Sequence, residues 1–373
     1  MKLKKNKYYN PNNFNAVHSA LAYLLFFALT ALASLGLVYF VRFKNAQKPI
    51  TDLAPYLCLE TAIVGAVLCL TVLIVSAFTK TNPLKGGGYL PRKGLGTECL
   101  MAAVGACGLA ALLSPMAESV ASSFDKVRYV FNWWDGSSTT PPLESTGWLF
   151  LYSFVLVPLI PAVFEEFLFR GVIMRGFEQF GKTAAVVLSA LLFSLAHGNT
   201  DQMVYQFVFG LLVGFLVMET KSLAVGASAH FANNFFVVAS TIPVAMLEGK
   251  KNEQAFLELT SVMIILIGVV CVTAAFLYFG KRMLRSKKET DTNGGAVALF
   301  PERDAVAGTV DRISPWFKKE SLTEKGAEPV YFTLDGKNRI KMNQKSRFLP
   351  SVLWIAICVI CSIVKILVAF FGT

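Results

Sequence analysis

The chain has 373 residues, of which 54% are hydrophobic and only 16% charged, and its mean hydropathy is +0.54. A soluble globular protein carries about 25% charged residues, so this balance is typical of a membrane protein and excludes disordered and collagen-like chains. The net charge of +11 predicts attraction to anionic lipid at the membrane surface, not binding to nucleic acid, because the basic residues lie between apolar blocks.

Nine apolar segments are long enough to cross a bilayer as helices, which takes about 17–25 residues. The first follows a lysine-rich start, and we expect it to be a retained anchor. The sequence predicts an all-α fold, a polytopic membrane helical bundle of about eight to nine transmembrane helices. The segments lie near residues 16–41, 54–78, 99–117, 147–176, 183–199, 202–218, 222–247, 259–280 and 350–371.

The distribution of Lys and Arg predicts the orientation of these helices. With the N-terminus inside, 27 of the 35 basic residues fall on the inner side and 7 on the outer side, and Lys365 lies within the ninth segment. Because basic residues concentrate in cytoplasmic loops, we expect a multi-pass protein of the cell membrane with a cytoplasmic N-terminus.

The apolar blocks and the polar stretches between them divide the chain into six regions. Those predicted to lie outside the membrane are an extracytoplasmic loop and a basic cytosolic loop or small appendage. In order, the regions are the N-terminal transmembrane helices (1–121), the extracytoplasmic loop (122–146), a core (147–247), an eighth transmembrane helix (248–280), the basic loop (281–349) and a C-terminal transmembrane helix (350–373).

Three charged residues lie close together within the fourth apolar segment, namely Glu165, Glu166 and Arg170, and Arg175 follows at its inner end. Each costs about 2.5–3.5 kcal/mol on insertion scales, so each needs a reason to be there. Glu166 and Arg170 are spaced i, i+4 and can pair on one helix face. Glu165 is rotated about 100° from Glu166 and cannot use the arginine in the same geometry. The spacing therefore predicts one paired carboxylate and one that is free for chemistry.

Two of the three histidines, His197 and His230, lie inside apolar helices, whereas His18 lies at the inner end of the first and is expected to be interfacial. His230 and Asn234 are spaced i, i+4 and can face the same point. Glu165 and His197 are equally far from the turn that joins their helices, about 24 Å at 1.5 Å per residue. The polar groups of three helices are therefore expected to converge. The alternative is that they are structural contacts between membrane helices.

Three ordered motifs resemble a known family. They are EExxxR at Glu165–Arg170, FxxxH at Phe193–His197 and HxxxN at His230–Asn234. On successive hydrophobic helices they look like the CPBP (Abi) family of intramembrane proteases, which comprises type II CAAX prenyl endopeptidases and bacterial relatives linked to bacteriocin processing and self-immunity. The resemblance covers residues 147–247 and implies that this core is catalytic.

The resemblance implies an endopeptidase that acts within the membrane, and we expect it to need no metal cofactor. In this interpretation Glu165 is the general base, helped by His197, and His230 with Asn234 donates to the oxyanion. Glu166 with Arg170 supports the helix or binds substrate. Donors already placed in a water-poor site stabilise an oxyanion strongly, which agrees with these roles.

Other interpretations stay open. Glu165, His197 and His230 could hold zinc in a metal-dependent version of the same protease, although HExxH is absent. A proton-coupled transporter also places such groups at mid-membrane, but no internal repeat is visible. A non-catalytic immunity or scaffold protein is a third possibility. The expected partners are a peptide or protein substrate at the membrane and the lipid bilayer, not nucleic acid, and the identity of the substrate is open.

Overall fold

The computed structural model describes residues 15–47, 54–79, 94–123, 146–198, 200–247, 253–292 and 344–371. Within these ranges the chain forms nine helices and no strand, so the predicted all-α bundle is confirmed. The helices are α1 (Ala16–Gln47), α2 (Ala54–Thr79), α3 (Leu95–Ser123), α4 (146–177), α5 (Lys182–His197), α6 (Thr200–Thr220), α7 (Leu223–Leu247), α8 (Glu253–Thr292) and α9 (Gln344–Phe371).

Among the described residues, six helices are long and apolar enough to cross a membrane, the pattern of a multi-pass membrane protein. They lie at Ala16–Lys44, Pro55–Thr79, Leu95–Leu113, Leu151–Phe177, Gln202–Thr220 and Glu258–Leu284. In three of the nine predicted segments the apolar stretch found among the described residues is shorter, at Lys182–His197, Leu223–Ala239 and Ser351–Ile366. Large apolar side chains remain exposed on α8, for example Val270 at 67% and Phe276 at 75%, as expected of a surface that faces lipid.

Helix α8 continues to Thr292, beyond the predicted boundary at residue 280. Arg282 anchors this extension, because its Nε donates to Glu98 Oε1 at 3.1 Å and its Nη1 donates to the backbone oxygen of Glu219 at 3.1 Å. Likewise α9 begins at Gln344, before the predicted boundary at 350. The rest of the predicted basic loop (293–343) and most of the predicted extracytoplasmic loop (124–145) lie outside the described residues.

Helix α4 lies at the centre of the bundle and contacts α1, α2, α5 and α7, while α3 packs against α6, α7 and α8. The last helix, α9, packs on α1 and α5. The segment of α4 that follows the two glutamates is buried, with Leu168, Phe169 and Ile173 at most 1% exposed. The charged residues of α4 are therefore carried into the interior of the bundle.

Helix α4 is not a regular α-helix. Two π-helical stretches, Leu151–Leu156 and Phe167–Ile173, flank an α-helical stretch, Val157–Glu166. Hydroxyl groups from neighbouring helices donate to carbonyl oxygens of the second π stretch, namely Ser189 Oγ to Phe169 O and Ser19 Oγ to Ile173 O, both at 2.9 Å. Such π stretches occur often at functional sites, and this one begins directly after the glutamate pair.

Small residues let α3 and α8 approach closely. A Cβ atom added at Gly108 would lie 2.8 Å from Gly268 O, and one added at Gly268 would lie 3.0 Å from Gly108 O. A Cβ atom at Gly105 would lie 2.8 Å from the Cβ of Ala275. Close packing of small residues is a main source of helix association in membranes, so this crossing should carry much of the stability of the α3–α8 pair.

We expect Gly108→Val to push α3 and α8 apart and to destabilise the protein by about 1–3 kcal/mol, the usual cost of overpacking. Thermal unfolding of the detergent-purified protein measures this change. Gly36→Val on α1 is the matched control, because a Cβ atom there has no neighbour within 4 Å. Equal shifts of the unfolding temperature in the two variants would contradict the packing argument.

Candidate functional site

The centre of the site is a buried ion pair on α4. Arg170 Nη1 donates to Glu166 Oε1 at 2.8 Å, and both side chains are 0% exposed. Their i, i+4 pairing, predicted from spacing, is therefore present. The guanidinium also donates from Nη2 to Gly210 O of α6 at 3.2 Å and lies 4.5 Å from the ring centre of Phe193 on α5. The guanidinium of Arg170 on α4 thus contacts both α5 and α6.

His230 of α7 lies between the two glutamates. Its Nδ1 is 2.9 Å from Glu166 Oε1, and its Nε2 is 3.9 Å from Glu165 Oε2, beyond hydrogen-bond distance. Because Glu166 is held by Arg170 as a carboxylate, which only accepts, the hydrogen of this contact belongs to Nδ1 of His230. The Nε2 atom is then the one that faces Glu165.

The two carboxylates differ in how their oxygens are used. Glu165 has a side chain that is 15% exposed, and its Oε2 is buried without a hydrogen-bond partner among the described residues. Glu166 has the bonds to Arg170 and His230 through Oε1, while its Oε2 is also buried without a hydrogen-bond partner among the described residues and faces Gly226, where an added Cβ would lie 3.1 Å away. A buried carboxylate oxygen with no partner calls for an explanation, and acceptance of a proton or of a substrate group supplies one.

His197 is the last residue of α5, which ends because Gly198 takes a positive φ of 67°. Its Nδ1 is 2.8 Å from the backbone oxygen of Phe193. A carbonyl oxygen only accepts, so Nδ1 carries the hydrogen and Nε2 of the neutral ring carries a lone pair. Among the described residues no hydrogen bond or ion pair joins His197 to Glu165. The link between them is indirect, since the Phe193 ring lies edge-on to His197 at 4.7 Å and to His230 at 5.8 Å.

Asn234 contacts α4 at Val157, eight residues or just over two helical turns before Glu165. Its Nδ2 donates to Val157 O at 3.3 Å, and its Oδ1 accepts from Asn233 Nδ2 at 3.1 Å. Asn233 Oδ1 in turn accepts from the hydroxyl of Tyr205 on α6. The structure therefore brings Glu165, Glu166, Arg170 and His230 into one contact network, and connects Asn234 to the site through α4 and α7.

Several residues that support the site were not predicted from the sequence. Asn233 could have been found as a second amide in an apolar helix, but Tyr205, Phe209 and Gly210 leave no signal beyond ordinary core composition. The Phe209 ring lies edge-on to His230 at 5.3 Å and, with Phe193, encloses the imidazole in aromatic surface. Such walls limit access of water to the charged groups.

In the part of the chain that the structure describes, no group of three or more His, Cys, Asp or Glu side chains stands close enough to hold a metal ion. The zinc ligands considered from the sequence, Glu165, His197 and His230, therefore do not fit a metal in this arrangement.

Residues 147–236 match the family model described as type II CAAX prenyl endopeptidase Rce1-like. The resemblance that the three motifs predicted is thereby confirmed for this segment, which contains all six candidate site residues. At the level of the family, the match indicates a CAAX-type intramembrane protease. No curated protein and no solved structure matches the chain.

Proposed function

With the match over residues 147–236 as the premise, we propose that the protein is an intramembrane endopeptidase. It hydrolyses a peptide bond of a membrane-associated protein or peptide. The observation that supports this proposal most directly is Glu165 Oε2, a buried carboxylate oxygen without a hydrogen bond that faces His230 inside an apolar bundle. A general base needs such an acceptor. Glu166 also has a buried oxygen without a partner, but it is bonded to Arg170 and His230, whereas Glu165 makes no hydrogen bond to either.

In the proposed reaction Glu165 accepts a proton from water, and the resulting hydroxide attacks the carbonyl carbon of the peptide. The lone pair on Nε2 of His197 assists in orienting the water. Asn234 and His230 donate hydrogen bonds to the oxyanion of the tetrahedral intermediate. His230 donates from Nε2 and therefore carries hydrogens on both ring nitrogens at this step, because its Nδ1–H is bound to Glu166. When this intermediate collapses, the C–N bond breaks and Glu165 returns the proton to the leaving amine. General acid–base catalysis of this kind contributes about 10²–10⁴ to the rate.

Glu166 and Arg170 have a supporting role in this proposal. Their ion pair fixes the Nδ1 side of His230, since Glu166 Oε1 accepts from both Arg170 and His230. The Nε2 atom is thereby directed towards the place where charge develops. We place the enzyme in the cell membrane with a cytoplasmic N-terminus, on the distribution of basic residues, with lipid and a peptide substrate as its partners.

The test compares membranes that contain the wild-type protein with membranes that contain His197→Ala, by peptidomics and then by cleavage of the identified peptide with purified protein. We expect cleavage to fall at least about a hundredfold, the lower end for loss of an acid–base group. His18→Ala, in the first turn of α1 and outside the proposed site, is the matched control, and we expect it to keep wild-type cleavage. Unchanged cleavage in His197→Ala would contradict the assignment of this histidine.

The same purified protein distinguishes the alternatives. Elemental analysis and cleavage after exhaustive chelation separate the metal-free reaction from a zinc-dependent one. We expect full cleavage after chelation, whereas loss that is restored by added zinc would support the metal enzyme. If wild-type protein cleaves no peptide while ion uptake or immunity can be measured, a transporter or a non-catalytic scaffold is supported instead.

A further inference from the structure

A proline in α4 makes one backbone oxygen available to α7. In an α-helix the N–H of residue i donates to the oxygen of residue i−4, and Pro161 has no N–H to offer to Val157 O. The side chain of Asn234 occupies this position, because its Nδ2 lies 3.3 Å from Val157 O. The missing backbone donor is thus replaced by an amide from another helix.

This acceptor determines the direction of a longer chain of hydrogen bonds. A backbone carbonyl only accepts, so the nitrogen of the Asn234 amide must face Val157 and its oxygen must face Asn233. Asn233 then presents Nδ2 to Asn234 at 3.1 Å and Oδ1 to the Tyr205 hydroxyl, which donates. Asn233 is only 3% exposed, and leaving a buried polar atom without a partner costs about 1–3 kcal/mol. The arrangement in which all of these bonds are made is therefore strongly favoured.

We infer that Tyr205 and Asn233 are positioning residues for Asn234. This inference rests on the proposed function, in which Asn234 donates to the oxyanion. An amide nitrogen carries two hydrogens, and Val157 O takes one of them. The hydrogen bonds that run from Tyr205 through Asn233 hold the second hydrogen of the Asn234 amide in a fixed direction. The donor therefore does not have to reorient when charge develops on the substrate. Such preorganisation is the main source of oxyanion stabilisation.

These hydrogen bonds join α4, α6 and α7, but the proline at position 161 that makes them possible is not the residue that helix stability alone would favour. With any other residue at position 161, the backbone N–H of that residue would donate to Val157 O. Proline in a helix interior removes this hydrogen bond and costs about 3 kcal/mol. With Pro161 present, the oxygen instead orients the amide of Asn234. Restoring the backbone donor should therefore release Asn234 without harming the fold, and this separates a positioning role from a purely structural one.

The first test uses Tyr205→Phe, which removes only the hydroxyl that donates to Asn233. We expect kcat for peptide cleavage to fall about tenfold with KM unchanged, because an oxyanion donor acts in the transition state. Asn234→Ala should lower kcat by about 10²–10³, as loss of one oxyanion donor does elsewhere. The double variant should be no slower than Asn234→Ala, since Tyr205 acts through that residue. Tyr23→Phe is the control, because it removes another buried hydroxyl, bonded to Ser362 Oγ at 2.7 Å.

The second test uses Pro161→Ala, which returns an N–H donor to Val157 O. We expect a fall in kcat of about tenfold, absent in the Asn234→Ala background, together with an unfolding temperature no lower than that of wild type. Wild-type kcat in both Tyr205→Phe and Pro161→Ala, or losses that add fully to that of Asn234→Ala, would overturn the positioning role. A wild-type protein that cleaves no peptide would overturn the proposed function, and this inference with it.

Discussion

Glu165→Gln lowers kcat for peptide cleavage by about 10²–10⁴, the contribution of a general base, while the protein keeps its unfolding temperature. The amide has the same shape as the carboxylate but cannot accept the proton of water. Because Glu165 Oε2 makes no hydrogen bond among the described residues, the substitution breaks no hydrogen bond of this oxygen. Steady-state cleavage and thermal unfolding of the same purified samples measure the two effects.

The neighbouring substitution Glu166→Gln is the matched control, since it changes the same chemical group one position along the helix. It removes the partner of a fully buried guanidinium, so we expect a lower unfolding temperature. A stable Glu166→Gln protein without activity, beside an active Glu165→Gln protein, would show that the roles of the two carboxylates are exchanged.

The second large effect is on stability. Arg170→Met leaves Glu166 buried and without its ion-pair partner, and breaking a buried pair from one side costs about 3–5 kcal/mol. We therefore expect the variant to accumulate poorly in membranes and to unfold at a much lower temperature. Thermal unfolding in detergent, supported by the yield from membranes, measures this loss.

A second arginine pair offers the control for this prediction. Arg175 and Glu178 are 2.7 Å apart, but their side chains are 14% and 17% exposed. For this more accessible pair we expect Arg175→Met to cost about 0–1 kcal/mol. Adding Glu166→Gln to Arg170→Met should recover part of the lost stability, because no buried charge is then left alone. Equal losses in the two arginine variants would contradict the argument from burial.

The parts of the site that could be predicted from the sequence depend on local geometry. The apolar blocks determine the helices, because a span needs a long uncharged segment. The spacing of Glu166 and Arg170 within one helix was enough to predict their pair, which the structure contains. The same geometry predicted that Glu165, rotated about 100° from Glu166 around the helix axis, does not share this pair.

Contacts between helices could not be predicted in the same way. The rise per residue places Glu165 and His197 at one depth, but depth does not determine how each helix is rotated about its axis. The π stretch Phe167–Ile173 changes that rotation, since each π turn holds more residues than an α turn. The contact of Asn234 on α7 with Val157 O on α4 depends on such rotations.

The end of α5 shows that the segment that matches the family model is not a self-sufficient unit. Lys365 of α9 extends its Nζ to Ala196 O at 3.4 Å, one residue before His197. This cation lies at the negative end of the α5 dipole and so stabilises the terminus that carries the histidine. On the opposite side, Ser19 of α1 donates to the π stretch that follows the glutamates. The motif-bearing helices therefore depend on residues from both ends of the chain for their geometry, and excising residues 147–236 would remove both supports.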